Sequence, residues 1–388
     1  MLRKMLEKIA EFQYRHAIPF ILVVLFLTII AALGVPNMSL ETDMQKQMPQ
    51  DLPIFQLNDR ITEKFGGQDT IMILFMLDED LDSQNVPSDI RHPDILNYLI
   101  DFEEELSAES SIQDVSSAAM FLRNAPLDSL ESATAYLDNI PQADMFFSDD
   151  LKKTVVFVSV DVGTSDRKIT EVVNLINSKI EGLSTPAGVE VMVSGNPPMM
   201  VKIAELLWED AIFTVLLASA VIFILLILLE RSLSKAVLIM VPLLFGVTWT
   251  VGVMGWIGLK LSFATAGLGA MILGLGVEYG VFMFTRYEEE REKGSSALDS
   301  LKVAVPGVGL AVLGSGMTTI FGFLALTLSV MPMLQNLGLS LALGIFFSLL
   351  AALLIEPIAL IIKEEIDHRW AHYIHDKAVE QKKRLRQR

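Results

Sequence analysis

The stretch LGLGVEYGVF, residues 273–282, places one acidic residue, Glu278, deep inside an apolar run that is long enough to cross a bilayer. On insertion scales an ionised side chain at that depth costs at least about 2.5 to 3.5 kcal/mol, and residues of this kind typically mark functional sites. The stretch therefore predicts a membrane protein whose function depends on Glu278 and on the groups around it.

Apolar residues elsewhere in the chain are also gathered into long blocks. They make up 52% of the 388 residues, and the mean hydropathy of +0.47 is that of an integral membrane protein. Runs of about 18 or more apolar residues predict six transmembrane helices. Their approximate bounds are 18–35, 211–229, 236–257, 261–284, 307–330 and 337–362.

These runs divide the chain into five parts. We predict an interfacial helix (1–16), a first transmembrane helix (17–35), an extracytoplasmic domain (36–210), a bundle of five transmembrane helices (211–362) and a basic C-terminal helix or tail (363–388). A cleaved secretory signal is the alternative for the first 35 residues, but the apolar run is long for a signal core.

Charge is distributed unevenly between these parts. Residues 36–210 contain 32 acidic and 11 basic residues, a net charge of −21, whereas the rest of the chain is at +4. Basic residues cluster before the first predicted span, between the second and third, after the fourth and at the C-terminus. The positive-inside rule therefore predicts cytoplasmic termini and an acidic domain outside. An acidic exterior argues against nucleic acid as a partner, and the absence of cysteine excludes disulfides.

The extracytoplasmic domain alternates between strand and helix patterns. Strands are predicted at 70–77, 112–115, 154–160 and 189–193, and helices at 95–106 and 169–180. The resulting order βαββαβ is that of a ferredoxin-like α+β domain. An insertion at about 116–150 carries a predicted helix, 127–137, and an apolar tip of Met145, Phe146 and Phe147. The tip is interpreted as a contact for a partner or a hydrophobic ligand, or alternatively as part of the core of its own domain.

Small residues surround Glu278 along the fourth predicted span. A line with a period of four residues is formed by Ala266, Ala270, Gly274 and Glu278, and a GxxxG pair is formed by Gly276 and Gly280. Because small residues allow close helix packing in lipid, we expect Glu278 to point into the bundle. One face of the fifth span combines hydroxyl groups with a small residue, namely Ser315, Thr318, Thr319 and Gly322.

No Lys or Arg lies at the centre of a predicted span, so the sequence offers Glu278 no cation. Desolvation then favours the protonated acid and makes its charge sensitive to access of water. The functional interpretation is a proton relay, with the hydroxyl groups of the fifth span as hydrogen-bonding partners. The structural alternative is a permanently neutral Glu278 held by Thr318 or Thr319.

Two weaker candidates lie near the C-terminus. Glu356, at the inner end of the sixth span, is either a second relay station or, as we expect, a side chain that reaches toward the cytoplasm. His368, His372 and His375 share one predicted helix face, but a solvated interfacial helix explains them better than a metal site. No Walker motif, catalytic triad or HExxH motif is present, so neither an enzyme nor a cofactor is predicted.

Several motifs together resemble one superfamily. The segment GVEYG at 276–280 followed by RYEE at 286–289, SGMTTIFGF at 315–323 and SGNP at 194–197 are similar to signatures of resistance-nodulation-division transporters. Within that superfamily the chain resembles the branch of the mycobacterial large membrane proteins (MMPL), the hopanoid exporters and the Patched-like proteins. It departs from the pattern in having Glu rather than Asp in the fourth span, and one six-span repeat rather than two.

The resemblance implies proton-driven export of a lipid-like or hydrophobic molecule across the inner or plasma membrane. It also implies a homodimer with two Glu278 residues near the axis and a role for Tyr279 beside the acid. An apolar groove in the exterior domain would be lined by methionines, or these are alternatively core residues: Met72, Met76, Met120, Met145, Met192, Met199 and Met200. The alternatives are an auxiliary of protein export like the SecD/SecF pair and a non-transporting sterol-sensing protein.

Overall fold

A computed structural model describes residues 2–42, 46–49, 51–57, 60, 69–78, 87–123, 125–160, 162 and 166–366. The chain separates into two compact units. One contains the described residues up to Pro49 and from Leu206 onward, and the other contains those between them, up to Glu205. Each unit is described by itself.

The first unit begins with two helices, α1 (Leu2–Arg15) and α2 (Ala17–Ala32). The buried face of α1 consists of Leu6, Ala10 and Gln13, which pack toward the rest of the bundle. Helix α2 is apolar on all sides, which is typical of a segment that lies in lipid.

The second unit contains strands β1 (Asp69–Leu77), β2 (Ile112–Ser116), β3 (Lys153–Val160) and β4 (Val189–Gly195). Its helices are α3 (Pro93–Ser107), α4 (Leu130–Leu137) and α5 (Asp166–Gly182). The sheet order is β2-β3-β1-β4 and all neighbours are antiparallel, which confirms the predicted α+β class. Helix α4 begins three residues later than predicted because Ser129 caps it, accepting a hydrogen bond from the backbone N–H of Ser132.

The remaining helices complete the first unit. They are α6 (Asn196–Glu230, which begins in the second unit), α7 (Leu233–Ile257), α8 (Leu268–Glu292), α9 (Ala297–Ala325) and α10 (Pro332–Leu354). Six stretches of the described chain are long and apolar enough to cross a membrane, as predicted. Their bounds are Ala17–Asn37, Asn196–Glu230, Leu233–Ile257, Leu268–Glu292, Ala297–Leu328 and Pro332–Ile366.

The fourth spanning helix begins at Leu268, seven residues later than its apolar run. The preceding residues form a turn that is fixed to the segment after α2. The backbone N–H of Leu261 donates to Ser39 O (2.9 Å), and that of Glu41 donates to Leu261 O (2.8 Å). Lys260 and Glu41 add an ion pair at 2.7 Å. The apolar run therefore predicted a helix that begins seven residues too early, because the first residues of the run pair with the segment after α2 instead of forming helix.

The sixth span is interrupted after α10. Leu354 ends the helix, Ile355 is a turn residue and 356–366 are helical again. Pro357 has no N–H to donate to the carbonyl group four residues earlier, which is that of Leu353. The buried amide of Gln13 donates to this carbonyl (3.3 Å) and to that of Leu354 (3.2 Å). Helix α1 thus satisfies backbone groups at the break.

Candidate functional site

Glu278 lies near the middle of α8, and its side chain is exposed on the outer surface of the bundle. Its neighbours Gly274 and Phe282 are exposed as well, and no atom lies within 4 Å of a methyl group added at Gly274. Glu278 makes no hydrogen bond or ion pair with another described residue. The expectation that Glu278 points into its own bundle is therefore wrong for a single copy of the chain.

The inner face of α8 is formed by a different set of residues. Those buried at turn spacing are Ile272, Gly276, Tyr279, Met283 and Tyr287. Since each residue turns an α-helix by about 100°, Glu278 stands about 200° from Gly276, on the opposite side. The helix therefore packs through its GxxxG pair and leaves the acid outside.

The predicted line of small residues is not one helical line. Ala266 precedes α8 and belongs to the turn that starts at Leu261, whereas Ala270 is half-buried and Gly274 is exposed. The prediction of a packing stripe from Ala266 to Glu278 is thus wrong at Ala266, because the helix starts two residues after it.

Tyr279 follows Glu278 in sequence but points to the other side. Its side chain is buried, and a methyl group added at Gly316 of α9 would lie 3.6 Å from its hydroxyl oxygen. The two predicted relay residues are therefore separated by α8, with the carboxyl group outside and the phenol between α8 and α9.

The face of α9 that carries the hydroxyl residues is mostly on the outer surface of the bundle. Ser315 and Thr318 are exposed and Thr319 is half-buried. The hydroxyl groups of Thr318 and Thr319 both donate to Ser315 O, at 2.7 and 3.1 Å. Gly322 is exposed, with open space around an added methyl group. The hydroxyl groups predicted to partner Glu278 thus bond within their own helix, and they share the outward exposure of Glu278.

A groove between α8 and α9 lies on the C-terminal side of Glu278 along α8. Its volume is about 590 Å³, and it is lined by Val281, Phe282, Thr285, Arg286, Glu289, Gly307, Val308 and Ala311. Phe282 is one helical turn from Glu278. The groove therefore combines polar residues with a position close to the acid.

The GxxxG pair faces polar side chains of the sixth span. A methyl group added at Gly276 would lie 3.0 Å from the hydroxyl oxygen of Ser348. One added at Gly280 would lie 3.2 Å from Oε2 of Glu356 and 3.1 Å from Cγ2 of Ile239. The absence of side chains at these two glycines gives the buried oxygen atoms their space.

Glu356 is completely buried. Neither carboxyl oxygen has a hydrogen-bond partner among the residues that the structure describes. The expectation that this side chain reaches toward the cytoplasm is wrong, because the break before Pro357 directs it to the inner face of α8. The only sequence signal was Pro357, which predicts a break in the span directly after Glu356.

Charged residues at the end of α8 connect it to its neighbours. Tyr287 donates a hydrogen bond to Glu364 (2.7 Å), and Arg291 pairs with the same carboxylate (2.6 Å). Lys235 of α7 pairs with Glu288 (2.6 Å). The RYEE segment and the residues after it therefore join α8 to α7 and to the segment 356–366.

An apolar cavity of about 300 Å³ lies within the bundle, between α6, α7 and the turn before α8. Its lining includes Trp208, Val215, Val251, Met254 and Ala266. Almost all of these side chains are apolar, so the cavity suits a hydrocarbon chain better than a polar molecule.

The candidate substrate residues of the second unit differ in exposure. Met145 and Met199 are largely exposed, whereas Phe146 is buried and lies beside Phe121 and Phe157. Phe147 and Met200 are partly buried against the core of the unit. Phe146 and Phe147 thus pack on their own unit, as the alternative interpretation expected, and Phe146 offers no surface to a ligand in this arrangement.

No group of three or more His, Asp or Glu side chains is placed to hold a metal ion within the described ranges. The three histidines at 368, 372 and 375 lie outside the described residues.

The model of the MMPL family matches residues 46–363 of the chain. The chain belongs to the MMPL family. Membrane protein MJ1562 of Methanocaldococcus jannaschii is similar to it over almost its whole length, with 35% identity over 370 residues that cover 94% of this chain and 95% of MJ1562.

Named exporters are more distant MMPL relatives. Siderophore exporter MmpL5 of Mycobacterium tuberculosis is 26% identical over 215 residues, which cover 54% of this chain and 22% of MmpL5. The apo-petrobactin exporter of Bacillus anthracis is 26% identical over 222 residues, which cover 54% of this chain and 30% of that protein. The chain thus aligns with less than a third of either exporter. It is an MMPL-family, transporter-like membrane protein with six candidate spans.

Proposed function

We propose that the protein is a proton-driven exporter of lipid-like or hydrophobic molecules that works as a homodimer, with Glu278 as the residue that binds and releases the coupling proton. The observation that carries the proposal is the position of Glu278, in the middle of a spanning helix and on the outer surface of a single bundle.

A second copy of the chain is the occupant that best fits this surface. A carboxyl group that faced acyl chains would carry the insertion cost of about 2.5 to 3.5 kcal/mol without compensation. Gly274 on α8 and Gly314, Ser315 and Thr318 on α9 are exposed as well, and small and hydroxyl residues are typical of helix–helix interfaces in lipid. A two-fold contact through the same face of both copies forms a closed assembly.

In such a dimer the two Glu278 side chains approach the two-fold axis. Ser315 and the threonine hydroxyl groups of α9 retain lone pairs that accept a hydrogen bond from the protonated acid. The largely apolar groove that ends near Phe282 has Thr285, Arg286 and Glu289 as its polar lining residues, and we propose it as the approach to the acid. Tyr279 contacts α9 from the inner side of α8, so a movement of α8 when Glu278 gains or loses its proton would change the packing of α8 on α9.

The substrate class is proposed from the apolar cavity between α6 and α7, which fits a hydrocarbon chain. The exposed methionines Met145 and Met199 add adaptable apolar surface in the second unit. By their names, one of the two exporters among the relatives exports a siderophore and the other exports apo-petrobactin. The charge distribution supports a plasma-membrane orientation with cytoplasmic termini and the acidic unit outside.

The test uses the full chain in phosphatidylethanolamine and phosphatidylglycerol vesicles, with a fluorescent phospholipid analogue as the probe and an imposed pH gradient. We expect gradient-driven movement of the probe in the wild type, and movement at the level of empty vesicles in Glu278→Gln. The matched control is Glu292→Gln, which changes an exposed glutamate at the end of the same helix.

Undiminished movement by Glu278→Gln would refute the relay. Replacing the pH gradient by a sodium gradient separates the two coupling ions, and movement driven by sodium alone would contradict proton coupling.

A further inference from the structure

The bundle contains a second intramembrane carboxyl group, Glu356, that the relay at Glu278 does not use. It is fully buried at the break in the sixth span, and neither of its oxygen atoms has a hydrogen-bond partner in the described part of the chain. An ionised carboxylate in such a site would be strongly destabilising, so the group is held there as the neutral acid.

Within residues 2–42 and 206–366, the elements packed around Glu356 offer it no counter-charge. Helix α8 presents Gly280 and helix α7 presents Ile239, whose carbonyl oxygen lies 3.4 Å from a methyl group added at Gly280. Glu278 is on the far face of α8, and Tyr279 points toward α9.

The cations nearest along these elements are engaged elsewhere. Lys235 pairs with Glu288, and Arg291 pairs with Glu364, which also accepts the hydrogen bond of Tyr287. The ammonium group of Lys363 lies over the ring of Phe284, 6.0 Å from its centre. Among the described residues, none of these groups forms an ion pair with Glu356, so its only means of neutralisation is a proton.

Other buried polar groups of α10 also lack a partner. The hydroxyl oxygens of Ser340 and Ser348 make no hydrogen bond in the described chain. Ser348 lies against Gly276 of α8, one helical turn from Gly280, which Glu356 faces. The sixth span therefore presents the unsatisfied oxygen atoms of Ser348 and Glu356 to the two glycines of the GxxxG pair.

We propose that Glu356 is a second proton-binding site, inside the bundle of a single protomer. It holds a proton when α8 and α10 are packed as in this structure, and it releases the proton to water as α8 and α10 separate during transport. In the release step the O–H bond of the acid breaks, the carboxylate keeps the electron pair, and water accepts the proton. The binding half of the proposal stands alone, and the release half rests on the proposed transport function.

Infrared spectroscopy of the full chain in the same vesicles tests the binding half. At neutral pH we expect the carbonyl stretch of a protonated carboxylic acid in the wild type and in the control Glu292→Gln. The band should persist in Glu278→Gln and disappear in Glu356→Gln. A wild-type spectrum without a band that depends on Glu356 would overturn the proposal.

A second pair of variants keeps the test decisive if Glu356→Gln does not fold. The methyl group of Gly280→Ala would press against Oε2 of Glu356, so the band should shift in frequency, whereas Gly274→Ala points into open space and should leave it unchanged. An unshifted band in Gly280→Ala would assign it to another residue and overturn the proposal.

Deuterium exchange under an imposed pH gradient tests the release half. We expect the Glu356 band to shift to its deuterated position only while the gradient drives transport, and we expect Glu356→Gln to lose most of the transport. A band that never exchanges would make Glu356 a static neutral acid. Loss of transport in Glu278→Gln with the Glu356 band intact supports both sites, whereas full transport in Glu278→Gln removes the proposed relay and leaves the binding half standing.

Discussion

The two faces of α8 border two acidic side chains in different environments, its own Glu278 on the outer face and Glu356 of the sixth span on the inner face. On the inner face, Gly280 lies against Ile239 and Glu356, and every neighbour is fixed by packing within the same bundle. On the outer face, Gly274 and Glu278 lie in the open. The difference teaches that the inner glycines serve the fold of one chain, whereas the outer face needs a further partner to be buried.

The largest expected effect is on stability, and it comes from making the same Gly→Val substitution once on the inner face of α8 and once on the outer face. Gly280→Val should lower the free energy of unfolding by about 1 to 3 kcal/mol, because the added atoms overlap Ile239 and Glu356. Gly274→Val is the control with the same residue change in the same helix, and a Cβ atom added there meets no atom of its own chain within 4 Å. Reversible unfolding of both variants in mixed micelles, at a dilution where the protein is monomeric, measures the difference, and equal losses would contradict the assignment of the faces.

The next effect concerns the break that positions Glu356. Gln13→Leu should lower the free energy of unfolding by about 1 to 3 kcal/mol, because it removes the donor to two carbonyl groups at the break. Gln335→Leu, which removes an exposed side-chain hydrogen bond to Ser329 O, should change it much less. Wild-type stability in Gln13→Leu would mean that the break does not depend on α1.

The smallest expected effect is on the pH dependence of stability. It concerns Glu103, a buried carboxyl group outside the spans that serves as a comparison for Glu356. Glu103 of α3 accepts a hydrogen bond from Ser117 (2.5 Å), and burial raises its pKa above the usual value of about 4.3 although this hydrogen bond opposes the shift. The folded state then holds a proton that the unfolded chain has released. The stability contribution of Glu103 is therefore complete below the usual pKa and is lost as the pH rises through the raised one.

Thermal unfolding of the full chain as a function of pH measures this effect. We expect Glu103→Gln to unfold with a weaker pH dependence than the wild type over that interval, and Glu104→Gln, at the exposed neighbouring position, to behave like the wild type. An unchanged pH profile in Glu103→Gln would contradict the shift.

The sequence was most informative where apolar patterns are long. Six spans and the strand order of the second unit follow from period and length, because burial in lipid or in a sheet leaves a regular pattern. The start of α8 could not be predicted, because the pairing of Leu261 with Ser39 and Glu41 depends on tertiary contact.

The orientation of α8 was misjudged for a physical reason. Small residues occur on both of its faces, and the period-four line through Gly274 and Glu278 is as regular as the GxxxG pair that packs. Which of the two faces is buried depends on the residues that pack against it. On the inner face these are Ser348 and Glu356, which come from a distant part of the chain. For the same reason the burial of Glu356 was predicted wrongly, although its position at the end of an apolar run was known.

The central claim, that a second copy covers the outer face of α8, is tested most directly by disulfide crosslinking in membranes. The chain contains no cysteine, so any disulfide between two copies must involve the introduced cysteine. We predict that Gly274→Cys forms a covalent dimer on mild oxidation, whereas Val221→Cys, at an exposed position on α6, does not. A monomeric Gly274→Cys protein together with a crosslinked Val221→Cys protein would contradict the account.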